Sequence, residues 1–436
     1  MKTVDEFLAG HGFLVADQID RQGLVGAFLD EMEKGLCGKP SSLGMIPAFV
    51  GNISLVAEGA RVAVLDAGGT NFRSAVVSFP LRIGSRRNRP MPGATREVSE
   101  EAFYSAFAEE LLRVRAEANV DWAGWCFSYP CEATRELDAR LNRWTKGIRA
   151  PSIVGQFVGR ELARRTGGGP IAVINDTVAT LLASRALEGA REFSSYIGFI
   201  LGTGTNVAYV ERNRGIAKLP NLEPEGSMVI NAESGAFDKF ARSDFDLAMD
   251  ARQPDCGRNP FEKAIAGAYL GEVALEIFKG AAKERMFSDE TSRAIRGLGA
   301  LGTIALDEFC AAKERAEGGN PLQSVFKAEA DAKMARRLGE RVFERAAALT
   351  AVHLAAFAVR TGEGADALAP IAIGIDGATY SKTATISFAE LVKRELDDML
   401  VNRRNIHYEI MPRIDDAPMI GAAIAALMQK ERTEGR

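Results

Sequence analysis

Two segments about 135 residues apart repeat one local pattern, and this repetition constrains the fold more than any other feature of the sequence. Residues 65–77 (LDAGGTNFRSAVV) and 201–210 (LGTGTNVAYV) each place one β-rich run before a Gly/Thr/Asn turn and another after it. This pattern predicts a β-hairpin with a special turn. Two copies predict two related lobes that face each other, with a nucleotide between them held by one turn from each lobe. No short repeat array is visible.

Other short apolar runs also end in polar, glycine or aspartate turns, at residues 171–177 (IAVINDT) and 371–380 (IAIGIDGATY). Most of the chain between Phe261 and Phe357 has helical patterning. Strands mixed with long helices indicate an α/β protein. The helix that follows the first of these runs is predicted to have Asp176 or Thr177 as its N-cap and Gly189 at its end.

The N-terminal third contains three segments whose local structure can be predicted. Residues 1–36 read as helical, because apolar residues recur there at four-residue spacing. Residues 41–51 are predicted to form a loop, since Pro47 prevents helix continuation. Residues 82–93 (RIGSRRNRPMPG) are predicted to form a solvated loop, and their four arginines are the only local cationic cluster.

Composition excludes several classes of protein. The 436 residues suggest two or three domains, and 54 basic against 58 acidic residues give a net charge of −4. Dedicated nucleic-acid binding is therefore not expected, because it normally requires a basic excess. The five cysteines lack zinc-ligand or disulfide-framework spacing. The N-terminus lacks a signal-peptide pattern, and the apolar run at residues 346–359 is too short to span a bilayer. We therefore expect a cytoplasmic protein without a membrane partner.

The turn at residues 66–71 (DAGGTN) has the composition of a phosphate-binding loop. Glycine lets the backbone approach a phosphate, and the freed N–H groups can bind an anion. Asp66 could hold Mg²⁺ through its water shell, because that ion prefers oxygen ligands and keeps several waters. The alternative is a glycine-bearing hairpin turn in which Asp66 accepts from turn amides. The second copy at residues 201–206 favours phosphate binding. Neither a P-loop nor a dinucleotide-binding motif is present.

Three further segments carry side chains suited to a sugar. FSYPC (residues 127–131), RWTKGI (143–148) and INDT (174–177) supply hydroxyls, a lysine, an amide and a carboxylate. Sugar hydroxyls need such paired donors and acceptors. Lys146 could neutralise a transferring phosphoryl group. Asp176 could accept a proton from a substrate hydroxyl, or could serve only as a helix N-cap.

Acidic residues in the second half admit structural explanations as well. NAESGAFD (residues 231–238) and NPFEKAIAGAYLGE (259–272) each contribute an acid. Asn259, Pro260 and Glu262 match a helix-capping box, which by itself would explain the glutamate. His353 lies in an apolar helical run and is predicted to be a packed core residue. His11 and His407 have no partner motif.

Taken in order, these motifs resemble those of the hexokinase family. The matching pieces extend from about Met45 to Lys382, with a weaker match, DDAPMIGAA, near the C-terminus. They are MIPAFV, LDAGGTNFR, FSYPC, RWTKGI, INDTVATLLA, GFILGTGTN, MVINAESGAFD, FEKAIAGAYLGE and GIDGATYSK. The resemblance covers most of the chain, and the combination is specific although no single piece is.

The resemblance implies a two-lobed actin-like ATPase (ribonuclease H-like) α/β fold with mixed sheets flanked by helices. The implied small domain is residues 61–172 plus 417–436, and the large domain is residues 1–60 plus 173–416, with the active site between them. The implied activity is ATP-dependent phosphorylation of a hexose, glucose first, at the 6-hydroxyl. Alternatives are a kinase for another hexose or an amino sugar, or a non-catalytic sugar-binding regulator. The oligomeric state is left open.

Site residues follow from the same resemblance, position by position. The implied sugar contacts are Ser128, Thr145, Lys146, Asn175, Asp176, Asn206, Glu233 and Glu262. Asp176 is the implied general base, and Lys146 the second catalytic group, near the phosphates. The implied nucleotide contacts are Gly68, Gly69, Thr70, Asn71, Arg73, Thr203 and Gly377, with Asp66 near Mg²⁺ through water.

The sequence departs from the family pattern at three places. Ser234 stands where a tryptophan is usual, and Ala378 where a serine is common beside the nucleotide. Residues 417–420 (APMI) replace a Gly-Ser-Gly-Lys type turn in the C-terminal loop. Pro418 has no N–H to donate, so this loop bears on recognition of the adenosine part.

Overall fold

A computed structural model describes residues 2–51, 59–186, 192–312 and 319–434. Strands and helices are mixed along these residues, as the sequence predicts. The strands are β1 (Ile46–Pro47), β2 (Arg61–Ala67), β3 (Asn71–Ser78), β4 (Arg82–Pro90), β5 (Ala123–Phe127), β6 (Cys131–Ala133), β7 (Ala139–Leu141), β8 (Ile171–Ile174), β9 (Ser195–Leu201), β10 (Thr205–Arg212), β11 (Ser227–Asn231), β12 (Ile371–Asp376) and β13 (Tyr408–Ile410).

Helices surround the strands and dominate the second half. They are α1 (Val4–Gly10), α2 (Arg21–Leu36), α3 (Glu100–Ala118), α4 (Val158–Arg165), α5 (Asp176–Ala186), α6 (Asp244–Asp250), α7 (Pro260–Ile265), α8 (Leu270–Lys283), α9 (Asp289–Arg296), α10 (Thr303–Ala311), α11 (Pro321–Val325), α12 (Glu329–Thr361), α13 (Ala378–Lys382), α14 (Phe388–Leu396) and α15 (Ala417–Glu434). A π-helical turn, Asp397–Asn402, continues α14. The predicted end of α5 at Gly189 lies outside the described residues.

Two mixed sheets organise the molecule. One has six strands in the order β1-β11-β10-β9-β12-β13, and the other has five in the order β4-β3-β2-β5-β8. Each contains one of the two repeated hairpins: β2 pairs antiparallel with β3, and β9 with β10. The hairpin predictions are therefore confirmed. Strands β6 and β7 form a separate two-stranded ribbon.

Helices α5 and α15 pack against each other between the two sheets. A Cβ atom on Gly421 of α15 would lie 2.2 Å from the Ala179 carbonyl oxygen of α5. A Cβ on Gly124 of β5 would lie 2.0 Å from the Ala422 carbonyl oxygen, so α15 also touches the five-stranded sheet directly. Glycine is required at both positions, because a side chain would separate these elements. The exact boundaries of the two domains remain a prediction.

The long helix α12 forms the centre of the core beside the six-stranded sheet. It passes a length and hydropathy test for a membrane-spanning helix, alone among the helices of the described residues. In its most apolar 18-residue window, however, 89% of the residues are buried inside the protein. A core helix of a water-soluble domain passes the same test, so this is weak support for a membrane span.

Two of the local predictions for the N-terminal third are wrong in part. Residues 1–36 are not one helix: α1 ends before Gly12, whose φ is +70°, and α2 begins after Asp20, which accepts a bond from the Gly23 N–H at 2.9 Å. Residues 41–51 contain the short strand β1. Its two residues pair with β11, a tertiary contact that local patterning does not encode.

The prediction of a solvated loop at residues 82–93 is also wrong, because residues 82–90 form strand β4. This strand lies at the sheet edge, where β3 is its one partner in the described part of the chain. Most of its side chains are exposed, so no apolar alternation marks it in the sequence. Its arginines form ion pairs, including Arg89 with Glu110 at 2.8 Å and Arg86 with Asp416 at 2.7 Å.

His353 is fully buried in α12, as predicted, and neither ring nitrogen has a hydrogen-bond partner among the residues that the structure describes. It is enclosed by aromatic rings of Phe28, Phe199, Phe261 and Phe357. Burial disfavours the charged imidazolium and lowers the pKa of His353 to about 3. The unfolded chain binds this proton at a pKa near 6.5. The group therefore stabilises the fold above pH ~6.5 and loses that contribution as the pH falls toward 3.

The variant His353→Leu is expected to reduce the acid sensitivity of the fold. Between pH 7 and pH 5 the wild type should lose about 2 kcal/mol more unfolding free energy than the variant, because only the wild type gains this proton on unfolding. Urea unfolding at both pH values measures the difference. His407→Gln, a substitution of a partly exposed histidine, is the control. Equal acid sensitivity in wild type and His353→Leu would contradict the expectation.

Candidate active site

The end of β8 and the first turn of α5 present Asn175 and Asp176 side by side. The Thr177 N–H donates to both side chains, at 2.9 Å to Asn175 Oδ1 and 2.8 Å to Asp176 Oδ1. Helix α5 begins at Asp176 itself. The residue that precedes the helix and caps it is therefore Asn175, which corrects the predicted N-cap at Asp176 or Thr177. Because Asn175 also satisfies this donor, capping alone does not explain a carboxylate at position 176.

The five-stranded sheet also positions Lys146 beside the DAGGTN turn. Lys146 has a left-handed backbone (φ +55°), and its Nζ donates to the Ser128 carbonyl oxygen at 2.9 Å. A Cβ on Gly69 would lie 3.2 Å from the Lys146 side chain, and the Tyr129 hydroxyl donates to the Gly68 carbonyl oxygen at 2.5 Å. Burial raises the pKa of Tyr129, which keeps this donor protonated. Thr145 precedes Lys146 in the same loop and is partly exposed.

The half of the molecule that contains the six-stranded sheet contributes Asn206, Glu233 and, from helix α7, Glu262. Asn206 lies on β10, and Glu233 lies just after β11 with a left-handed φ of +52°. Glu262 Oε2 accepts from the Thr205 N–H at 2.9 Å. Asn259 also has a positive φ (+48°), and its side chain makes no cap bond. The predicted capping box is therefore wrong, since Asn259 makes no side-chain cap bond. The Glu262 carboxylate binds the Thr205 N–H of the neighbouring hairpin and the Asn259 side chain.

Electrostatic effects join these groups into one cluster across the two sheets. Burial raises the pKa of Glu233, and the nearby negative charge of Asp176 adds to this increase, while Asn231, Arg143 and Lys146 oppose it. Burial likewise raises the pKa of Glu262. The hydrogen bond from the Thr205 N–H opposes this rise, and the negative charge of Glu233 adds to it. Two buried carboxyls with raised pKa values, close to the charge of a third carboxylate, are typical of a functional site.

The crevice itself is lined from both sides. Tyr129, Cys131 and Asn175 come from the side of the five-stranded sheet, and Ile46 and Asn231 from the side of the six-stranded sheet. Of the predicted sugar contacts, Asn175 lines this crevice directly, and Glu233 is hydrogen-bonded to the lining residue Asn231. Concave sites at such junctions are the usual places for small-molecule ligands.

Asp66, at the end of β2, is only 6% exposed and paired with Arg73 across the hairpin. Arg73 Nε lies 2.9 Å from Asp66 Oδ2, and Arg73 Nη1 lies 2.7 Å from Asp416 Oδ1. Burial raises the pKa of Asp66; the charge and hydrogen bonds of Arg73 oppose this, and Asp176 adds to it. The proximity of Asp66 to Asp176 places the predicted Mg²⁺ ligand beside the predicted base.

An isolated metal site is not present among the described residues, where no group of three or more His, Cys, Asp or Glu side chains could hold an ion. Asp66 nevertheless suits Mg²⁺ as a single carboxylate, because this ion keeps several waters and usually binds one or two carboxylates plus substrate phosphates.

The turns that carry Thr203 and Gly377 meet on the six-stranded sheet. Gly377 has φ +123°, and a Cβ there would lie 2.2 Å from the Leu201 carbonyl oxygen. The Thr379 hydroxyl donates to the Gly202 carbonyl oxygen at 2.8 Å, which ties α13 to the LGTGT turn. Because glycine carries no side chain, a phosphate or ribose can approach the backbone of these turns closely. Gly68, Gly69, Thr70 and Asn71 lie on the other sheet, at the β2–β3 turn.

Residues 417–420 do not form the loop that the sequence predicts. They are the first turn of α15. The N–H groups of a first turn have no partner within the helix, so the lack of an N–H at Pro418 costs no helical hydrogen bond. The preceding residue, Asp416, has φ +60° and pairs with Arg73 and Arg86. Sequence reasoning did not identify Asp416 or Asn231 as part of the site. Both lie inside segments that match the family, MVINAESGAFD and DDAPMIGAA, but the motifs do not show that these two side chains contact other site residues.

Comparison with known proteins assigns the family. Two hexokinase family models match this chain, one over residues 14–186 and the other over residues 196–428. The chain belongs to the hexokinase family. Hexokinase-2 of Candida albicans is 28% identical over 451 residues, 95% of this chain and 90% of that protein. Hexokinase-1 of Saccharomyces cerevisiae is 28% identical and covers 100% of this chain and 94% of its own length.

Solved structures agree with this hexokinase assignment. A hexokinase from Schistosoma mansoni in complex with glucose superposes with a TM-score of 0.78 at 27% identity, covering 97% of this chain and 98% of that one. The expected two-lobed, actin-like α/β fold with mixed sheets flanked by helices is therefore confirmed. As a member of the hexokinase family, the protein is an enzyme, a hexokinase-type phosphotransferase.

Proposed function

We propose that this protein transfers the γ-phosphoryl group of ATP to the 6-hydroxyl of a hexose, with glucose as its main substrate. The observation that carries the proposal is the electrostatic proximity of Asp176, Glu233, Glu262 and Lys146 to one another across the two sheets. Their neighbours Asn175 and Asn231 line the crevice between the sheets. The glucose complex of the Schistosoma mansoni relative supports glucose as the first sugar to test.

The sugar would be held by polar groups from both halves of the molecule. Glu233 and Glu262 would accept hydrogen bonds from sugar hydroxyls, and Asn206 would donate one. Ser128, Thr145 and Asn175 would complete the set from the opposite side. A deoxy sugar lacks one of these hydroxyls and would leave its buried polar partner without a hydrogen bond. This set of side chains would therefore discriminate strongly against deoxy analogues.

The nucleotide would lie between the two repeated hairpins. The backbone of Gly68–Gly69, with Thr70 and Asn71, would bind phosphates on one sheet, and Thr203 with Gly377 would contact the nucleotide on the other. Arg73 and Lys146 would neutralise phosphate charge. Asp66 would hold Mg²⁺ through water, and the ion would supply charge neutralisation at the phosphates.

The chemistry assigned to the protein side chains is proton transfer and positioning. Asp176 would accept the proton of the 6-hydroxyl as that oxygen bonds to the γ-phosphorus and the bond to the β–γ bridging oxygen breaks. Such a transition state is loose, so alignment and charge neutralisation would supply most of the rate increase. Closure of the lobes would exclude water, which competes with the sugar hydroxyl as nucleophile.

A screen of hexoses against phosphoryl donors tests the proposal. Glucose, mannose, fructose and glucosamine would each be combined with Mg·ATP, Mg·ADP, pyrophosphate and polyphosphate, with the sugar phosphate as the product measured. We expect the highest kcat/KM with glucose and Mg·ATP. An amino sugar preferred over glucose would replace the sugar assignment, and comparable turnover with ADP or pyrophosphate would overturn the assignment of ATP.

A further inference from the structure

Asn231 connects two predicted sugar contacts but has no sugar-binding assignment of its own. It is the last residue of β11 and only 6% exposed. The Asn206 Nδ2 donates to Asn231 Oδ1 at 2.7 Å, and the Asn231 Nδ2 donates to Glu233 Oε1 at 2.9 Å. The three side chains therefore form a continuous hydrogen-bond relay that ends at the Glu233 carboxylate.

The direction of this relay is fixed by the backbone. Asn206 Oδ1 accepts from the Val207 N–H at 2.8 Å and from the Ser234 N–H at 3.2 Å. A backbone N–H can only donate, so the oxygen of Asn206 must face these two groups and its NH₂ must face Asn231. The oxygen of Asn231 then faces Asn206, and its NH₂ faces Glu233. Neither amide can turn over without placing donor against donor.

This fixed direction assigns opposite hydrogen-bonding roles to the two ends of the relay. With its oxygen engaged by backbone N–H groups, Asn206 has only its second N–H to offer a ligand. Glu233 has Oε1 engaged by Asn231 and Oε2 left as an acceptor. We propose that Asn231 is a positioning residue that holds Asn206 as a donor and Glu233 as an acceptor toward the sugar. The inference rests on the proposed hexose substrate.

The hydrogen bond that Asn231 donates to Glu233 matters because this carboxyl is buried among other charged groups. Burial raises the pKa of this carboxyl, and the Asn231 amide is the first group that opposes the increase. The other charged or titratable groups around it are Asp176, Glu262, Cys131, Arg143 and Lys146. Without Asn231, the carboxyl would take up a proton at a higher pH, and a protonated Glu233 would no longer be an acceptor alone.

The test replaces Asn231 with leucine, which has a similar volume but no hydrogen-bonding group, and with serine as a smaller polar variant. Ser227→Ala, on the same strand but outside the relay, is the control. We expect KM for glucose to rise about 10–100-fold in Asn231→Leu, the range for loss of a hydrogen bond to a charged group. KM for ATP should change by less than about 2-fold. The acid limb of kcat/KM for glucose should move to higher pH.

A merely structural role would give a different pattern. A folded Asn231→Leu or Asn231→Ser variant whose KM for glucose and acid limb match those of the wild type would overturn the inference. Equal increases in KM for both substrates would also overturn it. Failure of the wild type to bind or phosphorylate any hexose would instead remove the proposed function, and this inference with it. Calorimetric titration of wild-type protein with glucose separates the two cases.

Discussion

Asp176→Asn is expected to lower turnover about 10²–10⁴-fold, the usual loss when a general base is removed. Asparagine has nearly the same shape as aspartate, and its side-chain oxygen can still accept from the Thr177 N–H, which now donates to Asp176 at 2.8 Å. Asn175 continues to cap α5. The fold should therefore survive, and glucose binding should weaken much less than turnover. Calorimetry and a coupled assay on the same preparation measure both quantities.

The control for this substitution is Asp20→Asn, the same chemical change at the start of α2. Asp20 caps that helix by accepting from the Gly23 N–H at 2.9 Å, away from the active site. Asparagine caps a helix about as well as aspartate, so neither variant should lose much stability. Near-normal turnover in a folded Asp176→Asn protein that binds glucose would remove Asp176 from the mechanism.

Gly377→Ala is expected to raise KM for ATP by at least about 10-fold while leaving KM for glucose nearly unchanged. Its backbone (φ +123°, ψ 142°) is accessible almost only to glycine, and a Cβ would meet the Leu201 carbonyl oxygen at 2.2 Å. The turn must shift away from the LGTGT hairpin to relieve this contact. A shift costing about 1.4 kcal/mol of nucleotide binding already corresponds to a tenfold change. Initial rates at varied ATP and at varied glucose measure the two KM values.

Gly364→Ala distinguishes local strain from a nucleotide effect. Gly364 also has a positive φ (+85°), and a Cβ there would lie 2.7 Å from the His407 carbonyl oxygen. This position lies between α12 and β12, at the end of the sheet where β12 begins. The variant should lose thermal stability with an unchanged KM for ATP. The nucleotide role of Gly377 would be contradicted by an unchanged KM for ATP in folded Gly377→Ala, or by an equal rise in Gly364→Ala.

The sequence predicts the hairpins well because their signals are local. In DAGGTN and LGTGTN, apolar runs flank glycines, and the resulting β2–β3 and β9–β10 pairs depend mainly on neighbouring residues. The edge strand β4 is not predicted, because its signal is not local. Its pairing with β3 is made by the backbone, while its mostly exposed polar side chains show no alternation. A charged edge strand and a solvated loop therefore look alike in sequence.

Within the site, the errors arise where a side chain has a distant partner. Glu262 fits a capping box by spacing, yet its carboxylate binds the Thr205 N–H, 57 residues away. Asn231 and Asp416 were not identified because their partners, such as Asn206 and Arg73, lie on other segments of the chain. Motif resemblance selects residue types at known positions. It does not show which amide or arginine holds those residues in place.

The position of the transferred phosphoryl group on the sugar tests the central proposal most directly. Protein, glucose and Mg·ATP would be incubated together and the product examined by ³¹P NMR with proton coupling. The proposed mechanism predicts one new phosphate ester whose phosphorus couples to the two protons on carbon 6, formed together with one ADP per ester. Phosphate on the anomeric or another hydroxyl, or ATP consumed without a sugar phosphate, would contradict it.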